Sequence, residues 1–247
     1  MSGVDENFWA ALPLGNGVEL IAHDAQGLAA FAKPAGALSH PNGTGEERRA
    51  LLVARYDLPG EFYEWNGRRL WLINRLDSAT SGVMLAAAKE TLAVAIRAQF
   101  KRREVKKVYQ ALVFGTPREL TQVWSDRLAV VKGGGQIRSS AGGGIPAESR
   151  MRVVRAGEKS PGLTLIALEP RTGRSHQLRV QCAKRGLPIV GDQTYGDFRR
   201  NREFAKFAGT KRMFLHSLKT SFTYEFGGRE HAFAAEAKLP AEFEAFL

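Results

Sequence analysis

The stretch that most constrains this chain is Ile73 to Lys89, which reads INRLDSATSGVMLAAAK. Leu72 and Ile73 are apolar; a polar knot of Arg75, Asp77, Ser78, Thr80 and Ser81 follows, and Gly82 opens an apolar run from Val83 to Ala88. By pattern this is strand, loop, strand. The hydroxyls of Ser78, Thr80 and Ser81 can bond nearby backbone and fix the turn. The loop therefore displays one carboxylate, Asp77, which taken alone suits a turn cap as well as a reactive group.

The rest of the chain supplies many strands and a few helices. Residues 1–17 read as an N-terminal arm, and residues 18–247 as one domain, for which 247 residues suffice. Val18 to Ala22 and Leu28 to Ala32 predict a hairpin, followed by Lys33-Pro34-Ala35-Gly36 and Leu38-Ser39-His40-Pro41. The spacing of Leu51, Leu52 and Tyr56 predicts a helix over Glu46 to Tyr56, stopped by Pro59-Gly60. Asn66-Gly67 between Glu61–Trp65 and Leu70–Ile73 is a strong hairpin signal, and its second strand delivers the Asp77 loop.

From Lys89 the period turns helical through Leu92, Ala95, Ile96 and Phe100. Its basic run, Arg97 and Lys101 to Arg103, continues to Lys106 and Lys107, and suits either a solvated face or a phosphate-contacting edge. Val105 to Phe114 is a strand with Lys107, Tyr109, Ala111 and Val113 on one face. Leu120 to Gly144 is basic and Gly-rich, with Lys132, Arg138 and glycines at 133–135 and 142–144, and reads as strands joined by loops. Ala147 to Val154 and Leu163 to Leu168 predict central strands.

Glu169 to Gly196, EPRTGRSHQLRVQCAKRGLPIVGDQTYG, ends a strand at Pro170 and turns at Thr172-Gly173-Arg174. Ser175 then reads as the N-cap of a helix of about three turns that Gly186 stops. His176 and Arg179 share a face of that helix, and Cys182 reads as a buried thiol within it. Leu215-His216, a Thr220–Phe226/His231–Ala237 hairpin and a short helix from Pro240 complete the chain.

Lys plus Arg outnumber Asp plus Glu by 36 to 25, a net charge of +11, which favours a polyanionic partner, nucleic acid first. The single cysteine excludes an internal disulfide or a multi-cysteine zinc site and suits a reducing compartment. No long apolar segment or leader pattern occurs, so a cytoplasmic protein without a membrane partner is expected. No metal-binding or phosphate-loop motif stands in the sequence, and neither cofactor nor metal is expected.

Arg75-Leu76-Asp77, two variable residues, Thr80-Ser81-Gly82 and an apolar run resemble the signature of the RluA-like pseudouridine synthases, the uridine isomerases of ribosomal and transfer RNA. Lys33 to Gly36 with His40-Pro41, Lys107-x-Tyr109-x-Ala111, Thr172 to Arg179, Gly191-Asp192-x-x-Tyr195-Gly196 and Leu215-His216 match further family motifs in family order. The resemblance runs from about Leu28 to Leu239. It implies an α+β fold, with a mixed, largely antiparallel central β-sheet flanked by helices and loops. The catalytic residues it implies are Asp77 as nucleophile or stabiliser, Tyr109 over the target base, and Arg179 paired with Asp77. It also implies RNA contacts by Arg75, Lys33, Thr80, Arg174, His176 and Leu215. Asn74, Ser78 and Ala79 depart from the family pattern around Asp77. The thirty residues ahead of the first match leave no room for the small N-terminal RNA-binding domain many members carry, and a monomer is favoured.

The reaction so implied breaks the N-glycosidic bond of uridine, turns the bound uracil and joins C5 to C1′. It loses only the C5 proton and needs no cofactor. Whether Asp77 forms a sugar ester or leads through a glycal is open in the sequence, as is the base that removes that proton. Arg75 would fill the gap left by the extruded uridine. Two rivals are a catalytically silent RNA-binding protein or RNA chaperone on the same scaffold, and a hydrolase using Asp77 and His176.

Overall fold

A computed structural model of the chain describes residues 4–133, 136–141, 144–157 and 162–247. In chain order its elements are α1 (Glu6–Ala10), β1 (Glu19–His23), β2 (Leu28–Lys33), β3 (Arg55–Asp57), β4 (Phe62–Trp65), β5 (Arg68–Leu72), β6 (Ser81–Ala87), α2 (Glu90–Arg102), β7 (Lys106–Phe114), β8 (Thr121–Gly133), β9 (Gln136–Ala141), β10 (Ile145–Ala156), β11 (Leu163–Pro170), α3 (Gln177–Lys184), α4 (Phe198–Ala208), β12 (Leu215–Phe226), β13 (Arg229–Glu236) and α5 (Glu242–Ala245). This is the expected α+β class. The chain packs as two units, one of Met1–Val105 and Ser217–Lys238, the other of Lys106–His216 and Leu239–Leu247.

In the first unit, β1 pairs with β2, β2 with β6, β6 with β5, β5 with β4 and β4 with β3, all antiparallel. The β4–β5 turn places Asn66 at φ 47° and Gly67 at φ 71°, both in the left-handed region that an Asn-Gly hairpin turn requires. β12 and β13 form the other expected hairpin, turning at Gly227 and Gly228. β6 is buried along its whole length because both its faces are covered. One face joins a core of Phe31, Leu51, Leu52, Tyr63, Leu70 and Met84; the other packs with Leu92, Ile96, Phe222 and Phe233. Within the expected arm, α1 is capped by the Asp5 carboxylate, and Trp9 and Leu12 join the first of these cores.

The helix expected over Glu46 to Tyr56 is absent. Only a single 3-10 turn forms, at Glu47–Arg49, and Leu51 and Leu52 are fully buried on irregular backbone. Their backbone groups pair with distant segments instead of with each other: Gly15 N–H donates to the Leu51 carbonyl, Val53 N–H to Pro13 and Leu38 N–H to Arg49. Tertiary pairing has overridden a helical spacing of only three apolar residues.

The second unit is an antiparallel sheet in the order β7-β11-β10-β8-β9. β8 and β9 are strands, as the basic Gly-rich stretch suggests; Gly134, Gly135, Gly142 and Gly143 of that stretch lie outside the described residues. Side chains alternate across the sheet. One face carries Trp124, Asp126, Ala147, Ser149 and Tyr109, and α3 packs on it through Val180 and Gln181. On the other, Leu112, Phe114, Leu163 and Leu165 form a core with Phe204 of α4, Phe214 and Phe243 of α5. Among the described residues no helix is long and apolar enough to cross a membrane, and no group of three or more His, Cys, Asp or Glu is placed to hold a metal ion.

Candidate active site

Asp77 sits on a loop tied down on both sides. On one side the Ser39 hydroxyl donates to the Leu76 carbonyl at 2.8 Å and accepts from the Leu76 N–H at 3.0 Å. Tyr63 in turn holds Ser39 by donating to its carbonyl at 2.8 Å. On the other side Lys33, only 1% exposed, donates from Nζ to the carbonyls of Pro34, Ala37 and Ser78 at 3.0, 2.7 and 3.2 Å. Gly36 N–H donates to the same Ser78 carbonyl, and Thr80 N–H closes the turn on the Asp77 carbonyl.

The loop that carries this carboxylate is thus held from both sides. The Lys-Pro-x-Gly and Leu-Ser-His-Pro segments, which look like plain turns in sequence, are the brackets of this loop. Asn74, a departure from the family pattern, accepts from Leu85 N–H at 2.7 Å beside the short β5–β6 ladder. Arg75 is exposed and Thr80 is buried. Near the loop, His40 stacks on Tyr56 with ring centroids 4.6 Å apart, and burial pushes the Tyr56 phenol up to about 12.

Gly82 of the Thr-Ser-Gly motif has φ 113°, and a Cβ there would lie 2.1 Å from the Ser217 carbonyl oxygen. The motif needs glycine because another backbone runs against it.

In the second unit the Thr172 turn and α3 are built as one network. Gln177, the first residue of α3, accepts at Oε1 from the Thr172 hydroxyl (2.7 Å) and the Arg174 N–H (3.1 Å), and donates from Nε2 to the Glu148 carbonyl. That arrangement displaces the expected N-cap. The cap position is His176, in the left-handed conformation at φ 55° with no side-chain cap bond, and Ser175 does not cap the helix. The helix is also shorter than expected, eight residues ending at Lys184.

Arg179 is buried and makes a bidentate pair with Asp192, Nε to Oδ2 and Nη2 to Oδ1, each at 2.8 Å. Burial pushes the Asp192 carboxyl up. The Arg179 hydrogen bonds and charge, with the N–H groups of Tyr195 and Thr194, outweigh it and hold Asp192 below the usual carboxylate range. The Tyr195 ring lies under the Arg179 guanidinium at 5.1 Å, and its hydroxyl is 2.9 Å from His176 Nδ1. Asn201 completes the clamp, donating to the Asp192 carbonyl and accepting from Gly191 N–H.

Tyr109 stands opposite Leu168 on the sheet face that α3 covers. Lys107, on the same face, is held below the usual ammonium range by burial. Leu215 is buried at the start of β12. Arg174 lies at the turn, its Nε donating to the Pro146 carbonyl. Cys182 is fully buried, and burial pushes its thiol well up.

The first unit thus gathers Arg75, Asp77 and Thr80 on one loop that Lys33 and Ser39 bracket. The second gathers Arg174, His176 and Arg179 on one turn and helix, with Tyr109 on the sheet beneath. Sequence reasoning gave no role to Ser39, Gln177, Asp192 or Tyr195, although the last two stand out as Gly-Asp-x-x-Tyr-Gly.

Such an antiparallel α+β scaffold defines the class of fold. Two solved human structures share it: RNA pseudouridylate synthase domain containing 1 (TM-score 0.68, 24% identity, 93% of this chain and 87% of that one) and domain containing 4 (0.65, 23%, 91% and 90%). The chain belongs to the RNA pseudouridylate synthase family, whose pattern its residues 27–184 match.

Relatives include the ribosomal large subunit pseudouridine synthase C of Vibrio vulnificus, 34% identical over 83% of this chain and 62% of that protein. That of Vibrio cholerae is 33% identical over 92% and 68%. The tRNA pseudouridine synthase C of Yersinia pestis is 30% identical over 81% and 79%. The chain spans about three fifths of the length of the first of these.

Proposed function

We propose that the chain isomerises a specific uridine of structured ribosomal or transfer RNA to pseudouridine, with residues 18–247 acting as one catalytic domain behind an arm of 1–17. The observation that carries this is the doubly bracketed Asp77 loop, in a chain whose family match spans both that loop and Arg179.

The target uridine leaves its stack, at a cost of about a few kcal/mol that is smallest in loops and bulges, and Arg75 fills the gap. Asp77 stabilises positive charge developing at C1′ or bonds to it as the C1′–N1 bond breaks, and Arg179 is the further catalytic residue that the family resemblance implies. Tyr109 stacks on the freed uracil while it turns. C5 then bonds to C1′, the C5 proton departs to a base, and N1, freed of the sugar, takes up a proton. Lys33, Thr80, Arg174, His176 and Leu215 serve RNA binding. Lys33 does so through the loop it holds, since its ammonium is buried. The chain supplies these groups without a metal or cofactor, as a cytoplasmic monomer with RNA, not a membrane, as its partner.

The test is a nucleoside map by mass spectrometry of rRNA and tRNA from cells with and without the gene. One pseudouridine is expected to revert to uridine, restored by the wild type and not by Asp77→Asn. An unchanged map would reject the proposal.

A further inference from the structure

The sheet face of the second unit opposite Tyr109 is covered at one end by α4 and α5 and open at the other. The open end carries Val123, Ser125 and Arg127 of β8 and Arg150, Arg152 and Arg155 of β10, all exposed. Register places them on this face. Arg150 is opposite Val123, Arg152 opposite Thr121, and the irregularity between Val153 and Arg155 turns Arg155 onto the same side, opposite Leu165. Same-side residues of a strand lie about 6.6–6.8 Å apart, so the guanidinium groups form a strip.

Two carboxylates share the face. Glu148 is taken by Arg171 at 2.7 Å. Glu169 stands opposite Arg150 without an ion pair. Among the described residues Arg127, Arg150, Arg152 and Arg155 have no carboxylate partner. The other basic run is engaged in part. On α2, Arg97 is spent on the Leu72 carbonyl and on Glu61, and Arg102 on Glu104. The strip is also continuous with the Thr172 turn, because Arg174 donates to Pro146, the residue opposite Arg127.

We infer that this strip is a second RNA-docking surface, which holds phosphates of the substrate RNA beyond the target uridine by charge and guanidinium hydrogen bonds. The occupant is RNA because unpaired arginines at regular spacing, with no aromatic platform among them, suit a phosphate backbone and carry no base readout. The inference rests on the synthase reading, since it takes the substrate to be RNA, and it adds a contact on the sheet face away from Tyr109. An RNA segment leaving the Arg174 turn would run on along β10.

The test measures binding of a fluorescein-labelled tRNA transcript across a salt series, by anisotropy. It compares wild type, the triple variant Arg127→Gln/Arg150→Gln/Arg152→Gln, and a charge-matched control, Arg202→Gln/Lys206→Gln/Arg229→Gln, at exposed positions off the strip. All substitutions are at the surface, and thermal unfolding confirms that each variant is folded. The strip variant is expected to bind roughly tenfold more weakly at moderate salt, with the slope of log affinity against log salt reduced by about two, and the control to match wild type. Equal loss in both variants would reduce the effect to net charge and overturn the inference. A strip variant that binds like wild type would overturn it while leaving the synthase reading intact. A wild type that fails to bind RNA would sink both.

Discussion

A buried lysine is tolerable only when its ammonium protons meet acceptors, and Lys33 meets three carbonyls, two in its own turn and one in the Asp77 loop. Lys33→Met keeps the volume and removes the donors, so the Ala37 carbonyl loses its partner while those of Ser78 and Pro34 keep only a backbone N–H. It is expected to cost about 2–3 kcal/mol in urea unfolding. An unchanged midpoint would show that the bracket is not needed.

Asp192 gives a second residue-scale prediction. Its carboxyl is depressed in the fold below an unfolded value of about 3.9. The stability it contributes is therefore present above about pH 4 and is lost as pH falls through the lower folded value. Asp192→Asn leaves Arg179 buried beside a neutral amide and is expected to lose about 3–5 kcal/mol at neutral pH. The gap to wild type should be flat above about pH 5 and narrow below about pH 4. A gap that stays constant into acid would contradict the pairing.

At the scale of elements, the close approach of backbone to Gly82 makes Gly82→Ala the sharpest test. The added methyl meets the Ser217 carbonyl at 2.1 Å, and φ 113° is itself strained for alanine. A loss of roughly 3 kcal/mol or more, or failure to accumulate as folded protein, is expected in thermal unfolding; a near-neutral effect would mean that the strands do not meet there.

Which elements were legible in sequence follows from where their signals lie. Asn66-Gly67 and Gly227-Gly228 fix hairpins because turn chemistry is local. The segment Glu46 to Tyr56 misleads because its backbone partners, Pro13 and Gly15, lie more than thirty residues away. α4 has an Asp197 cap and a Gly209 stop, but exposed Phe198 and Phe207 blur its apolar stripe. Of the proposed site, Asp77, Tyr109, His176 and Arg179 are legible through the family motifs that carry them, since each alone reads as a turn cap, a packed aromatic or a surface polar residue. The groups that hold them (Lys33, Ser39, Gln177 and Asp192) do so through contacts that no local period encodes.

For the whole molecule, a net charge of +11 acquires meaning only once engaged charges are set apart from available ones. Arg97 and Lys33 serve the fold, while the β8–β10 strip remains for a polyanion. The central claim is that this chain uses Asp77 to move uracil from N1 to C5 on ribose, and the proton lost from C5 reports that event directly. RNA labelled with tritium at uracil C5, taken from cells lacking the protein, is incubated with wild type and with Asp77→Asn, and tritium released to water is counted. Release by wild type, with a fall to background in Asp77→Asn, is the predicted result. Equal release by both would remove Asp77 from the chemistry, and no release by either would contradict the account.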